Sequence, residues 1–237
     1  MRPNHRKVDE LRPVKITRGY TNNPPGSVLV EFGNTRVLCT AMFEDTVPPF
    51  LADTGKGWLS AEYAMLPGST PTRKQRDRSG KVDGRSTEIQ RLIGRCLRAV
   101  VDTKLLGERT IWVDCDVIQA DGGTRTVAIT GAYVALMDAV KYLKKREKLR
   151  GEPVIGQIAA VSVGIVKGRP VVDLCYEEDS SAEVDANVVM LGTGEFVEVQ
   201  CTAERGAYQR KQLDAMLDLA AHSIRQLMDI QNNALAD

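Results

Sequence analysis

Histidine is nearly absent from this sequence of 237 residues, which has only His5 and His222. Catalysis by a Ser-His-Asp arrangement and zinc binding by a histidine-rich cluster are therefore poorly supported. Cysteine is also sparse: no CxxC pair occurs, and the five cysteines lie mostly within apolar runs, at Cys39, Cys96, Cys115, Cys175 and Cys201. They are interpreted as small buried hydrophobic residues of a protein in a reducing compartment.

The sequence also lacks an excess of charge of either sign and a long apolar run. With 32 Lys and Arg against 31 Asp and Glu, the formal net charge is +1. A globally basic nucleic-acid binder is excluded, so any such site must be a local patch. The N-terminal residues have no apolar core of the signal-peptide type, and no uncharged apolar stretch reaches the length of a membrane span. We therefore predict a cytoplasmic protein.

Motifs for nucleoside triphosphates and dinucleotides are missing as well. "RSGKVDG" contains Gly80 and Lys81, but Gln75 stands where the GxxxxGK[ST] motif requires glycine. "GTGEFV" lacks the third glycine of GxGxxG and lies between predicted strands. A triphosphate-binding loop and a Rossmann dinucleotide site are therefore excluded.

The hydrophobic patterns that are present predict an α+β fold. "SVLVEFGNTRVLCTAMF" predicts two strands joined by a Gly33-Asn34 turn, and apolar spacing in "RSTEIQRLIGRCLRAVVD" predicts an amphipathic helix. Strands over "GWLSAEYAML" and "TIWVDCDV" precede a helix from about Thr126 to Lys145, and the second half repeats strands and then a helix. We predict one sandwich-like domain of two similar halves, about residues 1–147 and 148–237, with mixed sheets packed on helices.

The stretch "VIQADGGTRTVAIT" predicts an anion site at a strand-to-helix junction. Gly122 and Gly123 let the backbone approach a ligand closely, and the N–H groups at a helix start favour an anion. Arg125 adds a fork of donors suited to phosphate. The alternative is a tight turn that binds nothing and leaves Arg125 solvated.

A basic loop precedes the amphipathic helix. "TRKQRDRSGKVDGR" has a local excess of four positive charges and contains Arg73, Lys74, Arg76, Arg78, Lys81 and Arg85. The loop is interpreted either as a solvated surface loop or as a binding site for a nucleic-acid backbone. Arg85 differs from the others because it lies at a helix start, where an anion is favoured.

An acidic segment, "YEEDSSAEVDANVVM", follows a strand in the second half. Its carboxylates, which include Asp179 and Asp185, could bind Mg²⁺ through oxygen or serve as a general acid. The alternative is an acidic turn without a ligand. A phosphate site, a basic loop and a carboxylate cluster together predict transfer at a phosphodiester.

Several blocks in one order resemble the bacterial RNase PH family of phosphorolytic exoribonucleases. They cover nearly the whole chain: "GSVLVEFGNTRVLCTA", "GWLSAEYAMLP", "GRSTEIQRLIGRCLRA", "DCDVIQADGGTRTVAITGA", "EEDSSAEVDANVVM" and "VEVQCTAE". The resemblance implies the RNase PH fold, a duplicated β/α unit assembled as a homohexamer of three dimers. It also implies phosphate-dependent trimming of tRNA precursors from the 3′ end, with release of nucleoside diphosphates.

The same resemblance implies roles for individual residues. Inorganic phosphate, the co-substrate, would be bound by Arg85, Gly123, Thr124 and Arg125. Asp179 and Asp185 would be catalytic and would hold a divalent metal, Mg²⁺, with proton donation assigned to Asp185. The RNA 3′ end would be guided by Arg73, Lys74, Arg76 and Arg78.

Two other functions fit parts of the sequence. A non-catalytic RNA-binding ring subunit would share the fold, but it has little need to keep Arg85, Arg125, Asp179 and Asp185 together. A phosphotransferase acting on a small molecule would leave the basic loop unexplained.

Overall fold

The computed structural model describes residues 2–76, 83–146, 149 and 151–236, and these residues have the predicted α+β architecture. Two β-sheets, one from each half of the chain, pack with helices. The boundary predicted between the halves, at residues 147 and 148, lies outside the described residues.

The first half of the chain builds a mixed five-stranded sheet. Its strands are β1 (Val14–Arg18), β2 (Gly26–Phe32), β3 (Thr35–Glu44), β4 (Trp58–Met65) and β5 (Thr110–Gln119). They lie in the order β1-β2-β3-β5-β4, with β4 parallel to β5 and the other neighbours antiparallel. The predicted hairpin is confirmed: Gly33 has a φ of 55°, and Phe32 pairs with Thr35 across the turn.

The second half builds an antiparallel four-stranded sheet. Its strands are β6 (Ile158–Val166), β7 (Arg169–Val172), β8 (Val184–Leu191) and β9 (Phe196–Ala203), in the order β7-β6-β8-β9. β6 is buried along almost its whole length, which matches the unbroken apolar run of its sequence. The acidic segment lies between β7 and β8 and continues into β8.

The described residues contain five α-helices and two short 3-10 helices, at Pro3–His5 and Pro49–Leu51. The α-helices are α1 (Gly84–Arg98), α2 (Thr103–Leu106), α3 (Thr124–Lys145), α4 (Tyr176–Asp179) and α5 (Arg210–Ala236). α3 contacts β2 and β3 of the first sheet and β6 of the second, so it lies between the two sheets. α1 packs on β4, and α5 packs on β6 and β7. The starts of α1 and α3 and the end of α4 carry predicted site residues.

Close packing of β2 on α3 depends on glycine at two positions. A methyl group added to Gly26 would lie 1.9 Å from the carbonyl oxygen of Ala135, and one added to Gly131 would lie 2.4 Å from Cγ1 of Val30. Both separations are below contact distance, so only glycine permits this approach. The approach fixes α3, and with it the turn at its start, against the first sheet.

The structure differs from the sequence prediction in local detail. α3 begins at Thr124, two residues earlier than predicted, and the acidic segment contains the single helical turn α4. β1, α2 and α4 were not predicted because each has only four or five residues, too few for a clear hydrophobic period.

Within the described residues, one helix, α3, is long and apolar enough to cross a membrane by length and composition alone. However, 78% of its most apolar window is buried inside the protein. A core helix of this kind passes the same test, so α3 is weak evidence for a membrane span.

Candidate active site

The start of α3 presents backbone N–H groups that the helix itself leaves without acceptors. Gly122 and Gly123 have φ values of 76° and 64°, so the predicted need for glycine in this turn is confirmed. The first helical hydrogen bond runs from the N–H of Val127 to the oxygen of Gly123. The N–H groups of Thr124, Arg125 and Thr126 therefore have no acceptor within the helix. They lie at the positive end of the dipole of this 22-residue helix.

Tyr63 on β4 fixes the side chain of Thr124. Both residues are buried, and the Tyr63 hydroxyl donates a 2.8 Å hydrogen bond to Oγ1 of Thr124. Burial raises the pKa of Tyr63, although this hydrogen bond and the charges of Arg85 and Arg125 oppose the rise. Tyr63 therefore remains a neutral donor, and the Thr124 hydroxyl hydrogen stays available for another acceptor.

Arg125 is held between α1 and β9. Its Nη1 donates to Oε1 of Gln200 at 2.8 Å and to Oε1 of Glu88 at 3.3 Å. Nε2 of Gln200 donates in turn to Oε1 of Glu88 at 3.1 Å. The Arg125 side chain is only 17% exposed, so these contacts orient a largely desolvated charge beside the turn.

Arg85 lies in the first turn of α1, at a second helix N-terminus. Asp83 is the N-cap residue, and its side chain accepts a hydrogen bond from the N–H of Arg85. The Arg85 residue is exposed. Its guanidinium is therefore not packed in the core.

Asp179 ends α4, and Asp185 lies on β8, where it pairs with Gly164 and Thr202. Burial raises the pKa of Asp179, and Glu204 adds to the rise. Burial and then the charge of Asp179 raise the pKa of Asp185 to about 6. Of the two carboxyl groups, that of Asp185 therefore binds a proton more readily near neutral pH.

The two arginines act on the same two carboxyl groups. The charges of Arg85 and Arg125 lower the pKa of both Asp179 and Asp185, against the effect of burial. Such interactions need close approach, so residues from α1, α3, α4 and β8 converge on one region. The charges of Arg85 and Arg125 therefore act on Asp185, a carboxyl group that can carry a proton.

The basic loop is only partly described. Arg73 and Arg76 are exposed, whereas Nζ of Lys74 forms a 2.7 Å ion pair with Asp83. This ion pair ties the loop to the start of α1, beside Arg85. Arg78, which was also predicted to contact RNA, and Lys81 lie outside the described residues.

The candidate ligands for a metal ion at this site are two carboxyl groups, those of Asp179 and Asp185. In the part of the chain that the structure describes, no three His, Cys, Asp or Glu residues form a group that could hold a metal. Mg²⁺ commonly uses one or two carboxylates and takes its other ligands from water and substrate phosphates. The half-buried pair Asp179 and Asp185, whose charges repel each other, fits that need.

Several residues of the site were missed by sequence reasoning. Tyr63, Glu88, Gln200 and Glu204 contact or electrostatically influence the predicted residues. Each lies in or beside one of the blocks that carry the family resemblance. Those blocks were the available signal, but they do not say which residue touches which.

Two family models match most of the chain. The first, the 3′ exoribonuclease family, domain 1, covers residues 10–141, and the second, domain 2 of the same family, covers residues 156–223. Ribonuclease PH from Corynebacterium efficiens is 58% identical over 235 residues, with 99% of this chain and 96% of that protein covered. Ribonuclease PH from Corynebacterium glutamicum strain R is 59% identical over 231 residues, with 97% and 94% covered.

A solved structure shares the fold at lower identity. The Archaeoglobus fulgidus exosome with RNA bound to the active site contains a chain that aligns with a TM-score of 0.81 and 24% identity. The alignment covers 96% of this chain and 91% of the archaeal one. At this identity the likeness establishes the architecture of the two sheets and their helices.

Proposed function

The chain belongs to the 3′ exoribonuclease family, with ribonuclease PH as its near relatives, and on that basis we propose which residues carry out its reaction. The enzyme is a phosphate-dependent 3′-to-5′ exoribonuclease that processes tRNA. Arg85 and Arg125, with the turn at Gly123 and Thr124, bind inorganic phosphate. Asp179 and Asp185 act at the scissile bond. The observation that carries this proposal is that both arginines interact with both carboxyl groups.

Phosphate needs positioning more than activation. It is already a nucleophile at neutral pH, so no histidine base is required, in keeping with the two histidines of the sequence. The main cost is to bring two anions together, the free phosphate and the phosphodiester. Arg85, Arg125 and the N–H groups at the start of α3 offset that repulsion and hold the phosphate in line with the scissile phosphorus.

The leaving oxygen must gain a proton as its bond to phosphorus breaks. Asp185, with a pKa of about 6, is the donor in this proposal. Its protonated fraction falls as the pH rises through 6, and at pH 7 it is about one-tenth. The products are a nucleoside diphosphate and an RNA shortened by one nucleotide. The bond broken and the bond formed are similar in energy, so nucleotide addition is the reverse reaction.

Mg²⁺ would be held by Asp179 and Asp185. When bound, it would supply positive charge to the non-bridging oxygens of the reacting phosphate groups. The residues Arg73, Arg76 and Arg78 would guide the RNA backbone through salt-sensitive contacts. Lys74 would act with them, although in this structure it is paired with Asp83.

Isotope transfer tests the role of phosphate as the attacking group. A tRNA precursor is incubated with the enzyme, Mg²⁺ and ³²P-labelled orthophosphate, and the released nucleotides are separated. The label is expected in the β-phosphate of nucleoside diphosphates, because the attacking phosphate becomes the terminal group. Without phosphate, release is expected to stop. Release of unlabelled nucleoside monophosphates at an equal rate without phosphate would instead indicate hydrolysis.

The assembly proposed is a homohexamer of three dimers, formed by chains that are each a single domain of two similar halves. Sedimentation equilibrium is expected to give a mass six times the 26.0 kDa of one chain. A monomeric mass at working concentration would contradict the hexamer and leave the phosphate site unaffected.

The free cysteines, four of them buried, support a cytoplasmic location for the enzyme.

A further inference from the structure

Arg12 and Asp173 form a buried ion pair in contact with the turn at residues 121–123, which precedes α3. Nε of Arg12 donates to Oδ2 of Asp173 at 3.0 Å, and Nη2 donates to Oδ1 at 2.7 Å. The backbone N–H of Arg12 adds a third bond, 2.7 Å long, to the same carboxylate. Both side chains are 2% exposed. This pair is therefore a rigid, desolvated unit rather than a surface contact.

The remaining donors of Arg12 reach the turn itself. Nη1 donates to the carbonyl oxygen of Asp121, and Nη2 donates to that of Gly122 at 3.4 Å. The hydroxyl of Thr35, which is fully buried, also donates to the Gly122 oxygen, at 2.8 Å, and accepts from the N–H of Asp121 at 3.0 Å. Two side chains from distant segments thus hold both carbonyl groups of the turn.

The direction of these carbonyls sets the direction of the N–H groups that follow them. In a trans peptide unit the C=O and the next N–H point to opposite sides. With the oxygens of Asp121 and Gly122 directed at Arg12 and Thr35, the N–H groups of Gly122 and Gly123 are directed away from them. Arg12 therefore controls the orientation of donors at the proposed phosphate position without contacting phosphate.

The turn is also tightly enclosed. A methyl group on Gly122 would lie 2.3 Å from the carbonyl oxygen of Leu174, and one on Gly123 would lie 3.3 Å from Nη2 of Arg12. Oδ1 of Asp121 accepts a 3.1 Å hydrogen bond from the N–H of Tyr176, the first residue of α4. The same α4 ends at Asp179, so these contacts connect the turn to the acidic pair.

We propose that Arg12, held by Asp173 and assisted by Thr35, is a positioning residue. It fixes the orientation of the phosphate-binding turn relative to Asp179. The proposal rests on the assignment of phosphate to this turn. Loss of the Arg12 contacts is expected to weaken phosphate binding selectively. Arg12 and Thr35 are buried and are not among the residues proposed to guide RNA, so RNA binding is expected to change little.

Arg12→Lys and a pair of Thr35 variants test the proposal by steady-state kinetics with phosphate and RNA varied separately. R12K keeps the charge beside Asp173 but loses the fork that spans both carbonyls. T35V removes the hydroxyl at constant shape, and T35S retains it. We expect R12K and T35V to raise KM for phosphate by about tenfold or more, with KM for RNA within about twofold, and T35S to remain near the wild type.

Arg18→Lys is the matched control, because Arg18 binds Asp138 of the same helix through Nε at 2.9 Å, about 20 Å from the turn. It is expected to leave KM for phosphate unchanged. If R12K fails to fold, the contrast between T35V and T35S decides the result. Equal KM values for phosphate in wild type and T35V, or an equal rise in both KM values, would overturn the proposal.

Arg125→Ala, measured alongside, distinguishes failure of the proposed phosphate site from failure of the positioning role of Arg12. A normal KM for phosphate in R125A would show that phosphate lies elsewhere, and the proposed site would fail as a whole. A raised KM in R125A with normal values in R12K and T35V would leave the phosphate site in place and reject only the positioning role.

Discussion

Arg125→Ala is expected to lower kcat/KM for phosphate by about 10²–10³-fold, equivalent to about 2.7–4 kcal/mol of transition-state stabilisation. The guanidinium is 17% exposed and opposes the negative charges of Asp179 and Asp185. Its removal would leave those carboxylates to repel the incoming phosphate. Initial rates with phosphate varied at saturating RNA measure the effect.

Two further variants show whether the loss is specific. Arg125→Lys keeps a positive charge without the planar fork, so partial recovery is expected. Arg91→Ala removes the same charge from an exposed position on α1 and is expected to stay within about twofold of the wild type. An R125A enzyme as active as R91A would contradict the assignment of Arg125 to the phosphate site.

Asp185→Asn is expected to lower kcat by about 10²–10⁴-fold, the usual contribution of a general acid. The amide cannot donate a proton as an acid does, while it nearly preserves the shape of the side chain. KM for phosphate is expected to be unchanged or lower, because one negative charge has gone. Single-turnover rates on a tRNA precursor at saturating phosphate isolate the chemical step.

The pH dependence distinguishes proton donation from cation binding at Asp185. With a pKa of about 6, the acid form is lost as the pH rises, so the wild-type kcat is expected to fall from pH 6 to pH 8. D185N is expected to lose this slope. Recovery of the D185N rate at high Mg²⁺ would instead assign the residue to cation binding alone.

Asp116→Asn provides the matched control for that comparison. Asp116 on β5 is another carboxyl whose pKa is raised by burial, but its neighbour is Glu62 rather than an arginine. D116N is expected to retain the wild-type rate and pH slope. A similar loss of kcat in D116N would mean that removing any half-buried carboxylate disturbs the enzyme.

The sequence predicted the elements whose patterns are long and local. The stripe Ile89, Leu92 and Ile93 predicted the buried face of α1, and Gly33 with Asn34 predicted the hairpin between β2 and β3. Gly122 and Gly123 predicted a turn between strand and helix, and both have positive φ, which few other residues tolerate. These features depend on residues that are close along the chain.

The parts of the site that were not predicted depend on long-range pairing. Arg12 and Asp173 are 161 residues apart, and Arg125 and Gln200 are 75 apart. Nothing in the local pattern of "DELRPV" distinguishes a buried Arg12 from a solvated one. The local pattern indicated that Gly123, Arg125 and Arg85 could bind an anion, and the family resemblance assigned them to phosphate. The contact between Arg12 and Asp173 could not be predicted, because it forms only when the two halves of the chain pack together.

The proposed site is divided between the two halves of the chain, and this division has a consequence for fragments of the enzyme. Both guanidinium groups come from α1 and α3, before residue 146, and both carboxyl groups come from α4 and β8, after residue 175. A chain severed between α3 and β6 would leave one fragment with electropositive groups and the other with acids. Neither fragment would contain the complete proposed reaction centre, so activity is expected only when both fragments are present and associated.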